Sequence, residues 1–256
     1  MDGRMSVRHT ANAGVLITTK AGAVGVDLFS KDPQGLYEDT PADLQEDLLE
    51  EIGKGRIRVL LFTHGHGDHF YMEAAAEALR RNPELLVIST EEVIGRLKAA
   101  VPKAGGLSAV APGERENRRF VLPQGSLEAF NSRHMGEQYA KVQNLVFLLE
   151  TGGSRIVLPG DAAPSEELFR RIGLWCREPD LMAAPFPLFG IPTNRKMIER
   201  SLQVREILAV HLPRPAADRQ NWTASAKKVC GRAHDSLPMP VFGEEPGREY
   251  VFQKKP

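Results

Sequence analysis

The sequence is poor in cysteine. Its 256 residues include only Cys176 and Cys230, which stand far apart and in neither a CxxC nor a CxxH arrangement. Two cysteines cannot build a disulfide framework, and these two cannot form a metal knuckle by themselves. We therefore predict that both are reduced and structural, which favours a cytoplasmic location.

The sequence also lacks an excess of charge and any long apolar run. Lysine plus arginine and aspartate plus glutamate each number 33, so the formal net charge is zero. Nucleic-acid-binding proteins normally have a basic excess or stripe, and the densest basic stretch here, Arg115–Arg119, is interrupted by Glu116 and Asn117. No window approaches the roughly 18 apolar residues of a membrane span. The starting segment MDGRMSVRHT has no apolar region for export. We expect a small-molecule substrate, and neither a nucleic-acid nor a membrane partner.

The length and the order of elements predict one α/β domain over residues 1–256. Apolar periodicity gives β-rich stretches interleaved with single helices in both halves. Two mixed sheets packed face to face, with helices outside each, satisfy that order. The predicted strands are Gly14–Thr19, Ala23–Leu28, Arg56–Phe62, Leu85–Ile88, Phe120–Leu122, Ser126–Asn131, Asn144–Glu150, Arg155–Leu158, Leu181–Ala184, Glu206–His211 and Tyr250–Gln253. The predicted helices open at Pro41 after a Thr40 cap and at Thr90, and cover Phe70–Arg81, Ser165–Ile172, Asn194–Ser201 and Trp222–Cys230.

One segment departs from this pattern, because an apolar strand runs directly into four polar residues. These residues are His64, His66, Asp68 and His69. Imidazole nitrogen and carboxylate oxygen are ligands that divalent metals such as Zn²⁺ accept. In extended backbone, His64 and His66 point to the same side. Gly65 and Gly67 let the chain turn, so that the next two side chains reach a second position. Four ligands in six residues are too many for one tetrahedral ion, but they fit two ions that share a site.

The alternative is that these side chains are structural. Asp68 is a plausible N-cap for the helix predicted at Phe70. However, three of the seven histidines fall within six residues at the end of a buried strand. That concentration favours metal binding over a capping role.

The segment THGHGDH resembles the HxHxDH signature of the metallo-β-lactamase superfamily. That family has another histidine after a later strand, then an aspartate that usually follows a glycine, and a last histidine at the end of a strand near the C-terminus. This sequence has His134, Asp161 and His211 in that order. The resemblance covers about residues 6–215 and implies a four-layer αββα sandwich.

The resemblance also implies two sets of metal ligands. One ion would be held by His64, His66 and His134, and a second by Asp68, His69 and His211, with Asp161 bridging both. Zinc is the expected metal, with manganese and iron as alternatives. Asp27 resembles a carboxylate that braces such ligands, although a turn role is open. Tyr139 is either a substrate contact or a packing residue. His9 and His234 match no ligand position and are predicted to be solvent-facing or structural.

The function implied is that of a metal-dependent hydrolase. Two ions would bridge a hydroxide at neutral pH, with Asp68 orienting it, to cleave a lactone, ester or phosphoester bond in a small molecule. The sequence looks most similar to ascorbate-6-phosphate lactonase-like proteins, with Asn12-Ala13-Gly14 where these usually have a Gly-His pair. The loops Ser30–Thr40 and Phe186–Thr193 are expected to wall the pocket.

Three alternatives stay open within the same fold. A phosphodiesterase or nuclease is one, and a metal-retaining binding protein without turnover is another. A di-iron module that reduces oxygen or NO is the third, although such modules commonly have a glutamate at the position of His66.

Overall fold

The computed structural model describes residues 4–111, 117–176, 178–233 and 236–253. His234 and the first two residues of the basic stretch lie outside these ranges. The strands are β1 (Arg4–Ala11), β2 (Gly14–Thr19), β3 (Gly22–Val26), β4 (Ile57–Leu61), β5 (Leu86–Thr90), β6 (Leu107–Val110), β7 (Arg118–Leu122), β8 (Gly125–Arg133), β9 (Gln143–Thr151), β10 (Ser154–Leu158), β11 (Leu181–Pro185), β12 (Ile207–Val210), β13 (Val241–Phe242) and β14 (Glu249–Gln253). The helices are α1 (Ala42–Gly53), α2 (Met72–Arg81), α3 (Glu91–Ala100), the 3₁₀ helix η1 (Glu137–Tyr139), α4 (Glu166–Trp175), α5 (Pro187–Gly190), α6 (Pro192–Ser201) and α7 (Trp222–Arg232).

The strands form two seven-stranded mixed sheets. The first has the order β14-β1-β2-β3-β4-β5-β6, and the second β13-β12-β11-β10-β9-β8-β7. Strands β3 to β6 run parallel in the first sheet, as do β10 to β13 in the second. The remaining pairs are antiparallel, so both sheets are mixed, and β14 from the C-terminal end pairs with β1 at the edge of the first sheet.

Three apolar clusters hold four layers together. Residues such as Ile17 of β2 and Phe147 of β9 are fully buried between the two sheets. Helices α1 to α3 cover the outer face of the first sheet, where Ile52 and Leu79 are buried, and α4 to α7 cover the second, where Phe169 is buried. Each such side chain contributes about 1.5–3 kcal/mol when fully removed from water. The predicted αββα sandwich is confirmed.

Two local predictions are wrong. Helix α1 begins at Ala42 without a side-chain cap, because the Thr40 hydroxyl accepts a hydrogen bond from the Ser30 amide at 2.9 Å instead. The Phe186–Thr193 stretch is helical rather than irregular: it contains α5, whose Phe189 is buried in the outer core, and the start of α6. Both segments take their form from tertiary contacts, which a local pattern does not carry.

The capping of α3 and the burial of the two cysteines agree with the sequence. The Thr90 side chain caps α3 by accepting from the Val93 amide at 3.4 Å. Cys176 and Cys230 are buried and are not joined by a disulfide bond. In the described part of the chain, no helix combines the length and the apolar character needed to cross a membrane.

Candidate metal centre

The seven predicted ligands all lie just beyond the carboxyl ends of strands. The segment His64–His69 follows β4, His134 follows β8, Asp161 comes three residues after β10, and His211 follows β12. Both sheets therefore contribute to the cluster. Crevices beyond the carboxyl ends of strands are the usual ligand sites of open α/β sheets.

The segment after β4 folds back on itself at Gly67. The amides of His69 and Phe70 both donate to the carbonyl oxygen of His66, at 3.0 and 2.8 Å. Gly65 and Gly67 do not have the positive φ angles that favour glycine. Gly67 is required for a different reason, since a Cβ atom there would lie 2.7 Å from the carbonyl oxygen of Lys31.

The structure brings all seven side chains together. Their ligand atoms form three groups, each within 4.8 Å: His64, His66 and His134; Asp68, His69 and His211; and His64, His69 and Asp161. The first two groups have the composition that the resemblance implies. The Asp161 carboxylate lies between them, with Oδ1 3.4 Å from His69 Nε2 and Oδ2 3.4 Å from Nε2 of both His134 and His211.

Four buried polar atoms in this cluster have no hydrogen-bond partner within the described residues. They are Nε2 of His69, His134 and His211, and Oδ1 of Asp161. A buried polar atom without a partner costs about 1–3 kcal/mol. Imidazole nitrogens and a carboxylate oxygen are the donors of divalent zinc sites, so the residues present fit such ions.

The Nδ1 atoms of three histidines in the cluster are held by the protein. His69 Nδ1 lies 2.8 Å from Asp27 Oδ2, His134 Nδ1 lies 2.7 Å from the Met135 carbonyl oxygen, and His64 Nδ1 lies 3.1 Å from Thr63 Oγ1. Such contacts fix the tautomer and the ring orientation of a metal-binding histidine. They direct Nε2 of His69 and His134 into the cluster.

Asp27 is the brace that the sequence suggested. Its Oδ1 accepts from the Thr63 amide at 2.8 Å, and its Oδ2 accepts from the Thr63 hydroxyl at 2.7 Å as well as from His69 Nδ1. The carboxylate is almost fully buried. Asp27 therefore joins the end of β3 to the segment after β4 that contains the predicted ligands.

Asn12 is a second brace, and sequence reasoning missed it. Its side-chain amide donates to the main-chain oxygen of Asp68 at 2.8 Å and to Oδ2 of the same residue at 3.3 Å. Its own main-chain oxygen accepts from the His211 amide and from His9 Nε2, both at 2.9 Å. His9 is thereby buried and structural, one of the two roles predicted for it. An asparagine before Ala-Gly in a tight turn was the available signal, since asparagine tolerates the positive φ found here.

Opposite charges are concentrated in the metal-free cluster. Burial lowers the pKa of His69 and His211, but the neighbouring Asp161 and Asp68 carboxylates outweigh it and raise both pKa values to about 10. Burial raises the pKa of Asp161, and the His211 and His69 charges reverse this and hold it well below its usual range. Burial and the His69 charge both lower the pKa of His64. Divalent ions would replace the protons on His69 and His211.

Two tyrosines border the cluster. The Tyr37 ring packs edge-on against His211 with centroids 4.1 Å apart. The Tyr139 ring lies 5.0 Å from that of His66 and 4.9 Å from that of His134. Tyr37 belongs to the loop that was expected to wall the pocket, although the sequence did not single it out.

Comparison with known proteins identifies the fold. No protein-family model matches the sequence, and no curated protein matches it. Among solved structures, the metallo-beta-lactamase fold protein YhfI from Bacillus subtilis superposes with a TM-score of 0.63 at 13% identity, over 98% of this chain and 100% of that one. The chain therefore has the metallo-β-lactamase fold.

Further structures with this fold differ in their chemistry. Igni18, a metallo hydrolase from the archaeon Ignicoccus hospitalis, gives a TM-score of 0.65 at 16% identity, over 98% of this chain and 100% of that one. CmlA, a diiron β-hydroxylase from Streptomyces venezuelae, gives 0.61 at 12% identity, over 99% of this chain and 54% of that one. The function must therefore be argued from the site.

Proposed function

We propose that the protein is a metal-dependent hydrolase that binds two divalent ions and cleaves a lactone, ester or phosphoester bond in a small molecule. The observation that carries this proposal is the convergence of four buried, partnerless ligand atoms on one space. The grouping of seven side chains into two sets around Asp161 supports a count of two. The absence of net charge supports a small molecule over a nucleic acid as substrate.

Bound divalent ions would lower the pKa of a water molecule and polarise the bond under attack. The chain's own contribution is orientation. The side-chain amide of Asn12 donates to the main-chain oxygen and to Oδ2 of Asp68, which holds this residue in place. Asp68 Oδ2 also lies 3.3 Å from His211 Nε2. In this position Asp68 Oδ2 would accept a hydrogen bond from the attacking water or hydroxide and direct its oxygen towards the substrate. Asp68 is thus the proposed catalytic residue.

Zinc is the proposed metal, because the set of five histidines and two carboxylates matches zinc donors. Iron is the second candidate metal and should be tested, because this chain shares its fold with a diiron hydroxylase. The measurement is elemental analysis of the freshly purified chain, with about two ions per chain expected. Absence of metal, together with no uptake on titration with zinc, manganese or iron, would refute the site.

A pair of aspartate substitutions tests the bridging role. Asp161→Ala removes the carboxylate between the two sets, so we expect loss of metal occupancy and of hydrolysis. Asp47→Ala changes an exposed carboxylate on α1 and serves as the matched control. Equal metal content in the two variants would contradict the role of Asp161.

Turnover distinguishes the remaining alternatives. The metal-loaded chain is assayed with lactones, carboxylic esters, phosphodiesters and phosphomonoesters, before and after chelation and with metal restored. Hydrolysis that is lost and regained supports the proposal. Metal retention without turnover of any compound favours a binding protein, and oxygen consumption by the iron-loaded chain favours oxidative chemistry.

A further inference from the structure

The two tyrosines lie at opposite ends of a row of rings that runs through the metal centre. Neighbouring ring centroids in this row are between 4.1 and 4.9 Å apart. In order, the rings are those of Tyr37, His211, His69, His64, His134 and Tyr139. A molecule bound over the centre would therefore meet a tyrosine at each end.

Both phenols are available to a ligand. Tyr37 and Tyr139 are half-buried. Their hydroxyl groups make no hydrogen bond to any residue in the described part of the chain, whereas the hydroxyl of Tyr250 donates to the Phe242 carbonyl oxygen at 3.2 Å. A phenol is protonated at neutral pH and can donate one hydrogen bond.

Tyr37 is held in place by its backbone. The Asp32 carboxylate accepts from the amides of Gln34, Leu36 and Tyr37 at 2.7–2.8 Å. The Arg214 Nε donates to the Tyr37 carbonyl oxygen at 3.1 Å, which ties the loop to the segment after β12. A donor fixed in this way loses little further freedom when a ligand binds.

Lys31 of this loop and Arg214 of the segment after β12 have partners already. Lys31 Nζ lies 3.1 Å from the Asp39 carboxylate, and the Arg214 guanidinium contacts Glu38 at 3.8 Å as well as the Tyr37 carbonyl oxygen. Proteins hold phosphate groups with arginine or lysine side chains whose donors face the ligand. Tyr37, whose hydroxyl makes no hydrogen bond within the described residues, offers an uncharged donor at the His211 end of the row.

We propose that Tyr37 donates a hydrogen bond to the carbonyl oxygen of an uncharged carboxylic ester or lactone, and that the Tyr139 ring packs against the acyl group. This inference rests on the proposed hydrolase function and narrows its substrate to carbon esters. Water adds to the carbonyl carbon, the bond from this carbon to the ester oxygen breaks, and that oxygen leaves as an alcohol with a proton from the water. Tyr37 keeps its proton, and its hydrogen bond strengthens as negative charge develops on the carbonyl oxygen.

The kinetic test uses the metal-loaded full chain and substitutions of tyrosine. Tyr37→Phe removes one hydroxyl, and we expect kcat/KM for esters and lactones to fall about 100-fold with metal content unchanged. Tyr139→Ala removes a packing surface and should raise KM about 2- to 10-fold. Tyr250→Phe, at the far edge of the first sheet, is the matched control and should leave both constants unchanged.

A binding measurement separates this inference from the hydrolase proposal. δ-Valerolactam, a carbonyl analogue that resists cleavage, is titrated into each variant, and its bound carbonyl stretch is recorded by infrared spectroscopy. We expect Tyr37→Phe to raise the dissociation constant about 10-fold and to shift the stretch to higher frequency.

Each outcome has one meaning. If the wild-type chain hydrolyses esters and Tyr37→Phe stays within twofold of it, the role of Tyr37 is refuted while the hydrolase proposal stands. Faster cleavage of phosphoesters than of carbon esters refutes the substrate class. If no compound is cleaved, the hydrolase proposal fails. Equal lactam affinity of the wild-type chain and of Tyr37→Phe would then refute the donor role of Tyr37 as well.

Discussion

Replacing Asp27 with asparagine should weaken metal binding without removing a ligand. The buried carboxylate accepts three hydrogen bonds, two from Thr63 and one from His69 Nδ1. In Asp27→Asn, one amide oxygen can still accept from the Thr63 backbone. The amide nitrogen, however, would face the His69 Nδ1 proton, and two donors cannot pair. The ring must then rotate or move its proton to Nε2, the atom that would bind metal.

The magnitude follows from this loss of orientation. Removal of such a supporting partner typically costs 10- to 100-fold in metal affinity, or about 1.4–2.7 kcal/mol. The assay is a competition titration against a chromophoric chelator, with unfolding of the metal-free chain measured separately. Asp47→Asn, on the exposed face of α1, is the control. A folded Asp27→Asn protein whose metal affinity lies within twofold of wild type would refute the bracing argument.

Two further predictions concern pH and packing. In the metal-free chain, the raised pKa values of His69 and His211 stabilise the fold fully below about pH 6.5, and this contribution disappears as the pH rises towards 10. The midpoint of thermal unfolding should therefore fall over that range, and calorimetry in buffers of different ionisation enthalpy should detect proton release when zinc binds. Gly35→Ala, at φ +70° with open space around it, should cost about 1–2 kcal/mol in chemical denaturation. Gly160→Ala, whose Cβ would lie 2.6 Å from that of Thr63, should cost about 1–3 kcal/mol more and reduce metal occupancy, and equal costs would contradict the clash.

Short-range patterns predict the two sheets with helices outside them and the cluster from His64 to His69, whereas the grouping of all seven side chains is what the resemblance to the metallo-β-lactamase superfamily implies. His64 to His69 follow an apolar strand directly, and the strand end fixes where their side chains go. His134 and His211 each follow the last residue of a strand. The strand ends explain why the structure brings these residues together, although it was the order of the family signature that selected them in the sequence. The assignment of these side chains as metal ligands stays a prediction until metal is measured.

The supporting contacts are long-range, and no local pattern predicts them. Asn12 lies 56 residues from Asp68, and the ring of Tyr37 reaches His211 from a loop at the other end of the chain. The strand β6 is absent from the predicted strands. It has only four residues and is half-buried for most of its length, so its apolar pattern is weak. The Phe186–Thr193 stretch was predicted to be a loop because prolines are typical of loops. Here Pro187 and Pro192 are instead the first residues of two helices, α5 and α6.

Backbone strain marks the centre independently of its side chains. Four non-glycine residues in the described ranges have positive φ, and three of them, Asn12, Asp27 and His211, belong to the cluster or brace it. Such a conformation costs of the order of 1–3 kcal/mol per residue and persists only where surrounding contacts enforce it. The backbone contacts here are the His211 amide donating to the Asn12 carbonyl and the Asp27 amide donating to the Leu61 carbonyl, both at 2.9 Å. The hydrogen bonds that maintain this strain therefore also orient the ligands. Relaxation of any one of these residues would turn a ligand or its brace away from the centre. Those bonds join β1, β3, β4 and β12, so an intact sandwich is a condition for an ordered metal centre.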